Sequence, residues 1–392
     1  MDITTYFDPI DPGIFPFTDE PVGQLRFGDI IRKNLEGYPF PDYTSADIAL
    51  VGVKEDRNST DNKGCAMAPD QIRKFLYLLF PGPYANRIHD LGNIRPGHSV
   101  SDTYFALSSV VAELVGQNVI PVIIGGSQDL TFANYQAYQS LCQIINIVAV
   151  DPIFDLGKTE HELTAQSYLS EIILHQPNFL FNFANIGYQS YFIDQDALAL
   201  MKNLFFDTYR LGIVRQNLEE VEPIVRNADI MSFDVSSIRK SDAPGNINAT
   251  PNGFYGEEAC QIVRYAGLSD KLSSIGFYEV NPDLDVHGQT SHLVAQMIWY
   301  FMDGFYQRAQ EFPFRNEDDY IRYRVTITDH KEEIVFYKSK RTDRWWMEIP
   351  LPAEQKLKYE RHYLVPCSYQ DYQTACNNDI PDRWWMVYQK LL

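Results

Sequence analysis

Residues Ile144–Asp155 read IINIVAVDPIFD, a short apolar run that is followed by two aspartates. A run of branched apolar residues is typical of a strand that is buried on both faces of a sheet. In open α/β sheets, ligands bind just beyond the carboxyl ends of the strands. We therefore predict that Asp151 and Asp155 lie at the carboxyl edge of a buried sheet, where a functional site is expected.

Further runs of the same kind precede and follow this one, and they are Asp47–Val53, Val119–Ile124, Phe183–Gly187, Ile230–Val235 and Ser274–Val280. Amphipathic stretches alternate with them, and these are Pro69–Leu79, Tyr104–Gly116, Leu163–His175 and Tyr255–Ala266. A longer apolar-periodic helix is predicted from Ser291 to about Gln310. Alternation of strands and helices predicts a three-layer α/β/α fold with a parallel central sheet.

Composition divides the chain into three predicted parts: an N-terminal arm (1–44) lying over the core, an α/β domain (45–312) and a C-terminal extension (313–392). The extension alternates in the β manner over Tyr320–Thr328 and Glu333–Lys338, so a small β-rich subdomain is expected. It also carries the segment DRWWM twice, at Asp343–Met347 and Asp382–Met386. We favour hydrophobic packing of these tryptophans over ligand stacking, and expect all four to be mostly buried against the α/β domain or a neighbouring subunit.

The formal net charge of −19 over 392 residues disfavours nucleic-acid partners, because no basic stripe is available for phosphate contacts. The N-terminal residues lack the pattern of a signal peptide, and no apolar run has the length that membrane insertion requires. Five scattered cysteines favour reduced thiols. The sequence therefore predicts a cytoplasmic protein, and its 14% aromatic content suggests a surface that meets another protein.

Three short motifs follow the predicted strands: GGSQD at Gly125–Asp129, DPIFD at Asp151–Asp155 and SFDVS at Ser232–Ser236. In order and spacing they resemble the GGDHS, DAHxD and SFDVD motifs of the ureohydrolases, the family of arginase, agmatinase and formimidoylglutamase. Further similar stretches are Ala46–Lys54, Ala68–Arg73, Ala243–Gly245, Thr250–Phe254 and Glu279–Asp285. The resemblance covers roughly residues 45 to 310, is nearest to the formimidoylglutamase-like branch, and implies an arginase-like fold and a homo-oligomer.

The resemblance also implies a metal site, because members of this family hold two Mn²⁺ ions that activate a bridging hydroxide. Three positions keep the family's aspartate ligands, and they are Asp151, Asp155 and Asp234. Three positions have lost a ligand, namely Gln128 and Ile153 in place of histidines and Ser236 in place of an aspartate. A two-manganese cluster is therefore not expected.

The residual donors are all oxygen atoms if Gln128 contributes its amide oxygen beside the three aspartates. Such a set suits Mg²⁺ or Ca²⁺ better than ions that favour imidazole, with Mn²⁺ a further candidate. We predict either no metal or one divalent cation. His161, the histidine nearest in sequence to Asp151, is interpreted as a loop or helix-cap residue.

Two further residues are candidates for the site. Arg239 stands where the family has an acidic residue, so it is either an internal cation that offsets the carboxylates or a side chain directed to water. Glu279 resembles the family carboxylate that holds the substrate's amidino nitrogen, so it is a substrate-binding candidate. The alternative for Glu279 is a hydrogen-bond acceptor that the strand end requires.

Three functions are compatible with these observations. We prefer a catalytically silent ureohydrolase that acts by binding or scaffolding. The alternative is an active hydrolase of linear amidine C–N bonds, acting on formiminoglutamate, agmatine or another guanidino compound with a reduced metal site. The third is a structural subunit of a larger complex. No GxSxG elbow and no GxxxxGK[ST] phosphate loop points to another chemistry.

Overall fold

The predicted apolar runs all lie in one sheet. The computed structural model describes residues 2–15, 25–84, 87–157, 163–312, 316–328 and 333–391. The strands of the sheet are β1 Phe7–Asp8, β2 Arg32–Lys33, β3 Ile48–Val53, β4 Ile88–Ile94, β5 Ile120–Ile124, β6 Ile145–Val150, β7 Leu180–Tyr188, β8 Asp207–Arg210, β9 Ile230–Asp234 and β10 Ser274–Tyr278. Their order is β1-β4-β3-β5-β10-β9-β6-β7-β8, and β2 also pairs with β4.

Every pairing in this sheet is parallel except that of β1 with β4. The helices of the described residues are α1 Phe27–Ile30, α2 Ala68–Leu76, α3 Val100–Gly116, α4 Leu130–Ser140, α5 Tyr168–Leu174, α6 Gln195–Asn203, α7 Leu211–Gln216, α8 Val221–Arg226, α9 Gly256–Leu268, α10 Gln289–Phe305, α11 Ala353–Lys358, α12 Tyr369–Cys376 and α13 Asp382–Leu391. None of them combines the length and apolar character that a bilayer crossing would demand.

The sheet separates two hydrophobic layers, because successive side chains of a strand point to opposite faces. In β3, Ile48 and Leu50 pack into the layer that α2, α8, α9 and α10 cover. Their neighbours Ala49 and Val51 pack into the layer that α3, α4 and α5 cover. The predicted three-layer α/β/α architecture is confirmed.

The N-terminal residues take part in the sheet, which the sequence did not predict. β1 pairs with β4 in register Phe7↔Ile94, and β2 pairs with the same strand in register Arg32↔His89. Residues within 1–44 are therefore partly elements of the core sheet, and the expectation of an arm that only lies over it is wrong in this respect. Backbone hydrogen bonding explains the difference, because β4 would otherwise be an open edge.

The C-terminal residues form a second, antiparallel sheet in the order β11-β12-β13-β14. Its strands are β11 Tyr320–Val325, β12 Ile334–Ser339, β13 Trp345–Glu348 and β14 Leu364–Cys367. The predicted β-rich extension is thus confirmed as a small sheet, while the boundaries at 44 and 312 remain predictions. The two DRWWM copies differ in structure, because the first runs into β13 and the second begins α13.

Three of the four tryptophans in these segments are buried, and the fourth is not. Trp345, Trp346 and Trp384 are 7%, 3% and 0% exposed, whereas Trp385 is 42% exposed. Trp385 is therefore not buried against the α/β domain, because adjacent residues in α13 face different sides of the helix, and its burial against a neighbouring subunit stays a prediction. Packing explains the burial of the other three indole side chains.

A buried arginine joins the two sheets. Arg226 at the end of α8 donates Nη2 hydrogen bonds to the backbone oxygens of Trp345 (3.2 Å) and Cys367 (3.3 Å). Its guanidinium carbon lies 4.4 Å from the ring centroid of Trp346, and its Nε pairs with Glu222 at 3.0 Å. The extension therefore docks on the α/β layer through polar as well as apolar contacts.

Candidate functional site

The site lies where four neighbouring strands end. β5, β10, β9 and β6 are adjacent in the sheet, so the loops that follow them meet at one edge. The loop after β5 needs glycine at Gly126, because a Cβ there would lie 1.8 Å from the backbone oxygen of Glu55. This close approach brings Gln128 over the ends of the other strands.

The loops enclose a cavity of about 420 Å³, which we call the acidic pocket. Its lining includes Asp61, Asn62, Gln128, Ile153, Asp155, Asp234, Ser236 and Glu279. Asp151 is buried, 1% exposed, and hydrogen-bonds to Gln128. The residues that the sequence singled out therefore meet at one place, with the exception of Arg239. Their predicted roles remain untested.

Hydrogen bonds occupy the carboxylates of the pocket. Asp151 accepts at Oδ2 from Gln128 Nε2 (2.8 Å) and at Oδ1 from the backbone N–H of Ile153 (2.8 Å). Asp234 Oδ1 accepts from the backbone N–H of Ser236 at 2.7 Å. An amide that faces a carboxylate satisfies it only with its NH₂ group. Gln128 thus presents a donor at the position where the related motifs carry a metal-binding histidine.

Glu279 is held on both sides of its carboxylate. Oε1 accepts from the backbone N–H of Gln128 at 2.9 Å, and Oε2 accepts from Asn62 Nδ2 at 2.8 Å. The same amide nitrogen of Asn62 also donates to the backbone oxygen of Glu279 at 2.9 Å. These contacts agree with the acceptor role that was the alternative for Glu279, and they leave further lone pairs facing the pocket.

Burial controls the ionisation of the four carboxyl groups. It raises the pKa of Asp151 to about 6 and that of Glu279 to about 7, although hydrogen bonds oppose both shifts. Burial and then the charge of Asp151 raise the pKa of Asp155 well above its usual range. Burial, Asp151 and Glu279 do the same for the pKa of Asp234. Protons therefore relieve much of the repulsion in this cluster.

Two of these residues have a strained backbone. Asp155 has a φ of 49° and Glu279 has a φ of 70°. Both values lie in the left-handed region, which residues other than glycine rarely adopt. Oδ2 of Asp155 is also buried without a hydrogen-bond partner among the described residues. Strain and an unsatisfied polar atom at the same site are typical of functional positions.

The donor set does not fit two manganese ions. Ile153 has no lone pair to offer, Gln128 directs its NH₂ group to Asp151, and Ser236 directs its backbone N–H to Asp234. Among the described parts of the chain, no group of three or more His, Cys, Asp or Glu side chains has the arrangement of a metal site. These residues therefore lack the ligands that a pair of manganese ions requires.

The guanidinium of Arg239 contacts residues outside the carboxyl cluster. Its Nε donates to Asp242 Oδ1 at 2.8 Å, and its guanidinium carbon lies 3.7 Å from the ring centroid of Tyr255. Its side chain is 33% exposed. These contacts give the guanidinium local partners, so they do not support a role in neutralising the aspartates.

Sequence reasoning missed the loop after β3, which supplies Ser59, Thr60, Asp61 and Asn62 to the pocket. Only its position beyond a strand end could have indicated it, because no motif marks these polar residues. His161 lies outside the described residues, so its interpretation as a loop or cap residue stays a prediction.

The family follows from comparison with known proteins. The family model of the arginase family matches residues 46–303, which is more than half of the chain. The chain belongs to the arginase family. Among curated relatives, formimidoylglutamase of Staphylococcus haemolyticus is 25% identical over 266 residues, covering 65% of this chain and 85% of that protein. Formimidoylglutamase of Bacillus subtilis is 23% identical over 284 residues, covering 65% and 86%.

Solved structures of this arginase family share the fold. The Bacillus subtilis formimidoylglutamase structure has a TM-score of 0.67 at 19% identity, covering 75% of this chain and 96% of that chain. A Trypanosoma cruzi formiminoglutamase solved with Mn²⁺ has a TM-score of 0.64 at 19% identity, covering 73% and 100%. The predicted arginase-like fold and the resemblance to the formimidoylglutamase-like branch are confirmed.

Proposed function

We propose that this arginase-family protein is catalytically silent and acts by binding a small cationic ligand in the acidic pocket. Homo-oligomerisation or a protein partner on an aromatic surface, and a cytoplasmic location, are parts of the same proposal. The hydrogen bond from Gln128 Nε2 to Asp151 is the observation that carries it. A donor aimed at the carboxylate competes with a cation for that oxygen and offers no lone pair in exchange.

The other two substitutions act in the same direction. Ile153 presents an aliphatic side chain to the pocket, and Ser236 has replaced a carboxylate with a neutral hydroxyl. A hydroxide nucleophile at neutral pH depends on metal ions that lower the pKa of bound water. Half of the ligand positions are changed in this chain. It therefore lacks the metal ligands on which the hydroxide nucleophile of a ureohydrolase depends.

The pocket nevertheless keeps features of a binding site for a cation. Asp61, Asp155, Asp234 and Glu279 line it, and no Lys, Arg or His stands among the described lining residues. A guanidinium or amidinium group is planar and matches paired carboxylate oxygens through two hydrogen bonds. Phe192 contributes an apolar wall for the methylene chain of such a ligand.

Binding and metal content test the proposal together. Agmatine is titrated calorimetrically into protein purified with Mn²⁺ present, while bound manganese and urea release are measured on the same sample. The expected result is agmatine binding without turnover and with less than one Mn²⁺ per chain. Propionamide, an uncharged amide, is the control ligand and should not bind. Two tightly bound Mn²⁺ ions per chain, together with robust hydrolysis of agmatine, arginine or formiminoglutamate, would contradict the proposal that the protein is catalytically silent.

The second candidate is a hydrolase of linear amidine C–N bonds with a reduced metal site. The buried Asp155 Oδ2 favours it, because this oxygen has no partner among the described residues and a single divalent cation would satisfy it. Stoichiometric binding of one Mg²⁺, Ca²⁺ or Mn²⁺, accompanied by turnover that a chelator abolishes, would replace the first proposal by this one.

A further inference from the structure

A second cavity of about 300 Å³ lies beside the acidic pocket and has the opposite electrostatic character. We call it the arginine cleft, and its polar lining consists of Gln189, Ser190, Arg210, Arg215, Gln216 and Asn252, together with two tyrosines. No Asp or Glu is among the described residues that line it. The chain has a net charge of −19, so an average stretch of its surface carries more acidic than basic side chains. A cleft lined by two arginines and no acidic residue departs from that average.

Arg210 carries the uncompensated charge of the cleft. It is the last residue of β8, its side chain is exposed, and it forms no ion pair with any residue in the described part of the chain. Gly212, two residues later, also lines the cleft and leaves the space beside it open, because a Cβ added there would meet no atom within 4 Å. Arg210 and this open position thus line the same cavity, whose volume is enough for a small oxyanion.

Arg215 is held in a fixed orientation. Its Nε donates to Glu258 Oε1 at 3.1 Å, and its guanidinium carbon lies 4.3 Å from the ring centroid of Tyr255. The same ring carries Arg239 at 3.7 Å. Anchoring by an acid outside the lining and by an aromatic face reduces the rotamer entropy that binding would cost.

Neutral groups complete the wall between the two cavities. Gln189 Nε2 donates to the backbone oxygen of Asn252 at 3.3 Å, and Asn252 Nδ2 lies 3.3 Å from the hydroxyl of Tyr191. Thr250, which lines the acidic pocket, donates to the same oxygen of Asn252 at 2.8 Å. One layer of hydrogen-bonded residues thus separates a cavity lined with carboxyl groups from a cavity lined with guanidinium groups.

We propose that the arginine cleft binds an oxyanion, the carboxylate or phosphate group of a small ligand, at a site separate from the acidic pocket. Guanidinium forks pair with such groups through parallel charge-assisted hydrogen bonds. The exposed amide group of Asn252 adds a neutral donor at the same surface. The proposal is independent of the ligand of the acidic pocket and of catalytic silence.

The test places a negative charge in the cleft. Gly212→Asp adds a carboxylate where the structure has open space, and Gly212→Asn is the matched neutral control. Arg210→Gln removes the unpaired guanidinium, and Arg32→Gln removes another exposed arginine, on β2, that lacks an ion pair among the described residues. Inorganic phosphate and glutarate are titrated calorimetrically into each full-length protein at constant ionic strength.

We expect the parent chain, Gly212→Asn and Arg32→Gln to bind at least one of the two probes. Gly212→Asp and Arg210→Gln should bind it about tenfold more weakly, the effect of one charge-assisted contact. The probe that binds more tightly identifies the oxyanion as phosphate or carboxylate. A parent chain that binds neither probe, or equal affinity in all five proteins, overturns the proposal. Agmatine binding measured in parallel reports on the acidic pocket separately.

Discussion

Gln128, which lines the acidic pocket, donates a hydrogen bond from its side-chain Nε2 to Oδ2 of the buried Asp151 across 2.8 Å. Asp151 accepts a second hydrogen bond at Oδ1 from the backbone of Ile153, so both of its carboxylate oxygens are engaged. For a metal ion to bind Asp151 through Oδ2, this amide must first turn away. The sequence resemblance implies a metal ligand at the position of Gln128, so this contact has a measurable consequence.

The first prediction concerns metal content. Because Gln128 and Ile153 offer no imidazole and Ser236 no carboxylate, the purified protein should hold less than one Mn²⁺ per chain. Elemental analysis after purification with Mn²⁺ measures this directly. Assays with arginine, agmatine and formiminoglutamate should show no turnover, and two retained ions per chain would contradict the prediction.

The second prediction concerns repair of the site. Gln128→His, Ile153→His and Ser236→Asp together restore the ligand types that the related motifs carry, so manganese uptake should rise even if hydrolysis does not return. The single change Ile153→His is the control and should gain less, because Gln128 still donates to Asp151 and Ser236 still offers no carboxylate. If the folded triple variant takes up no more metal than the parent, these positions do not correspond to the family's ligands.

The third prediction concerns pH. The folded-state pKa values of Asp151 and Glu279 are raised to about 6 and about 7, and burial and neighbouring charge raise those of Asp155 and Asp234 well above their usual range. A carboxyl with a raised folded pKa binds more protons in the folded state than in the unfolded state. Its contribution to stability is therefore present at low pH and is lost as pH rises through the folded pKa.

Asp155→Asn should accordingly raise the free energy of unfolding at pH 8 by on the order of 1 kcal/mol, because the parent carboxyl must then either bury a charge or take up a proton on folding. At pH 5 the gain should be smaller, since the parent carboxyl is already protonated. Denaturant unfolding at both pH values gives the comparison. Asp61→Asn, at an exposed carboxyl that also lines the pocket, is the control, and equal effects of the two variants would argue against the burial account.

The sequence predicted the strands that read as continuous apolar runs, but it did not predict β4. That strand reads IHDLGNI and is fully buried, so its polar residues hide it from a search for apolar periodicity. Its Asp90 pairs with Arg73 Nε at 2.8 Å, and both side chains are 0% exposed. Buried polar residues of this kind depend on a partner distant in sequence, which a local pattern cannot supply.

The two DRWWM segments illustrate the same limit. Identical residues become strand β13 in one place and helix α13 in another, because pairing with β12 and β14 selects the extended form of the first. In the acidic pocket, residue types and their positions after the strands were predictable from motifs. The direction of the Gln128 amide and the local partners of Arg239 were not, because both depend on hydrogen bonds formed only in the fold.

The fourth prediction concerns Arg239. Its contacts are Asp242 and the ring of Tyr255, and its side chain is 33% exposed, so Arg239→Ala should cost at most about 1 kcal/mol. The cost should be the same at pH 5.5 and pH 8, because the aspartates of the pocket do not depend on it. Asp155→Asn serves as the pH-sensitive reference. A destabilisation that grows with rising pH would return Arg239 to the role of internal cation.

The fifth prediction concerns the C-terminal extension, where α13 offers a matched pair of neighbours. Trp384 is 0% exposed, and its indole Nε1 donates to the backbone oxygen of Glu348 at 3.0 Å, whereas Trp385 is 42% exposed. Large-to-small changes in a core cost about 3 to 5 kcal/mol for tryptophan. Trp384→Ala should therefore lower the free energy of unfolding by that amount, and Trp385→Ala by about 1 kcal/mol or less.

Truncation after Asp319 tests whether the extension is also needed by the α/β domain. The cut would remove the backbone oxygens of Trp345 and Cys367 that Arg226 binds. It would also remove Arg361, which pairs with the fully buried carboxylate of Asp229. Arg226 keeps Glu222 and Asp229 keeps Lys271, but a buried charged group that loses some of its partners is strongly destabilising. The truncated chain should therefore be insoluble, as judged by centrifugation and size-exclusion chromatography. A soluble, monodisperse product that unfolds cooperatively would show instead that the extension is a free module, and Trp385 would then become a candidate for partner contact.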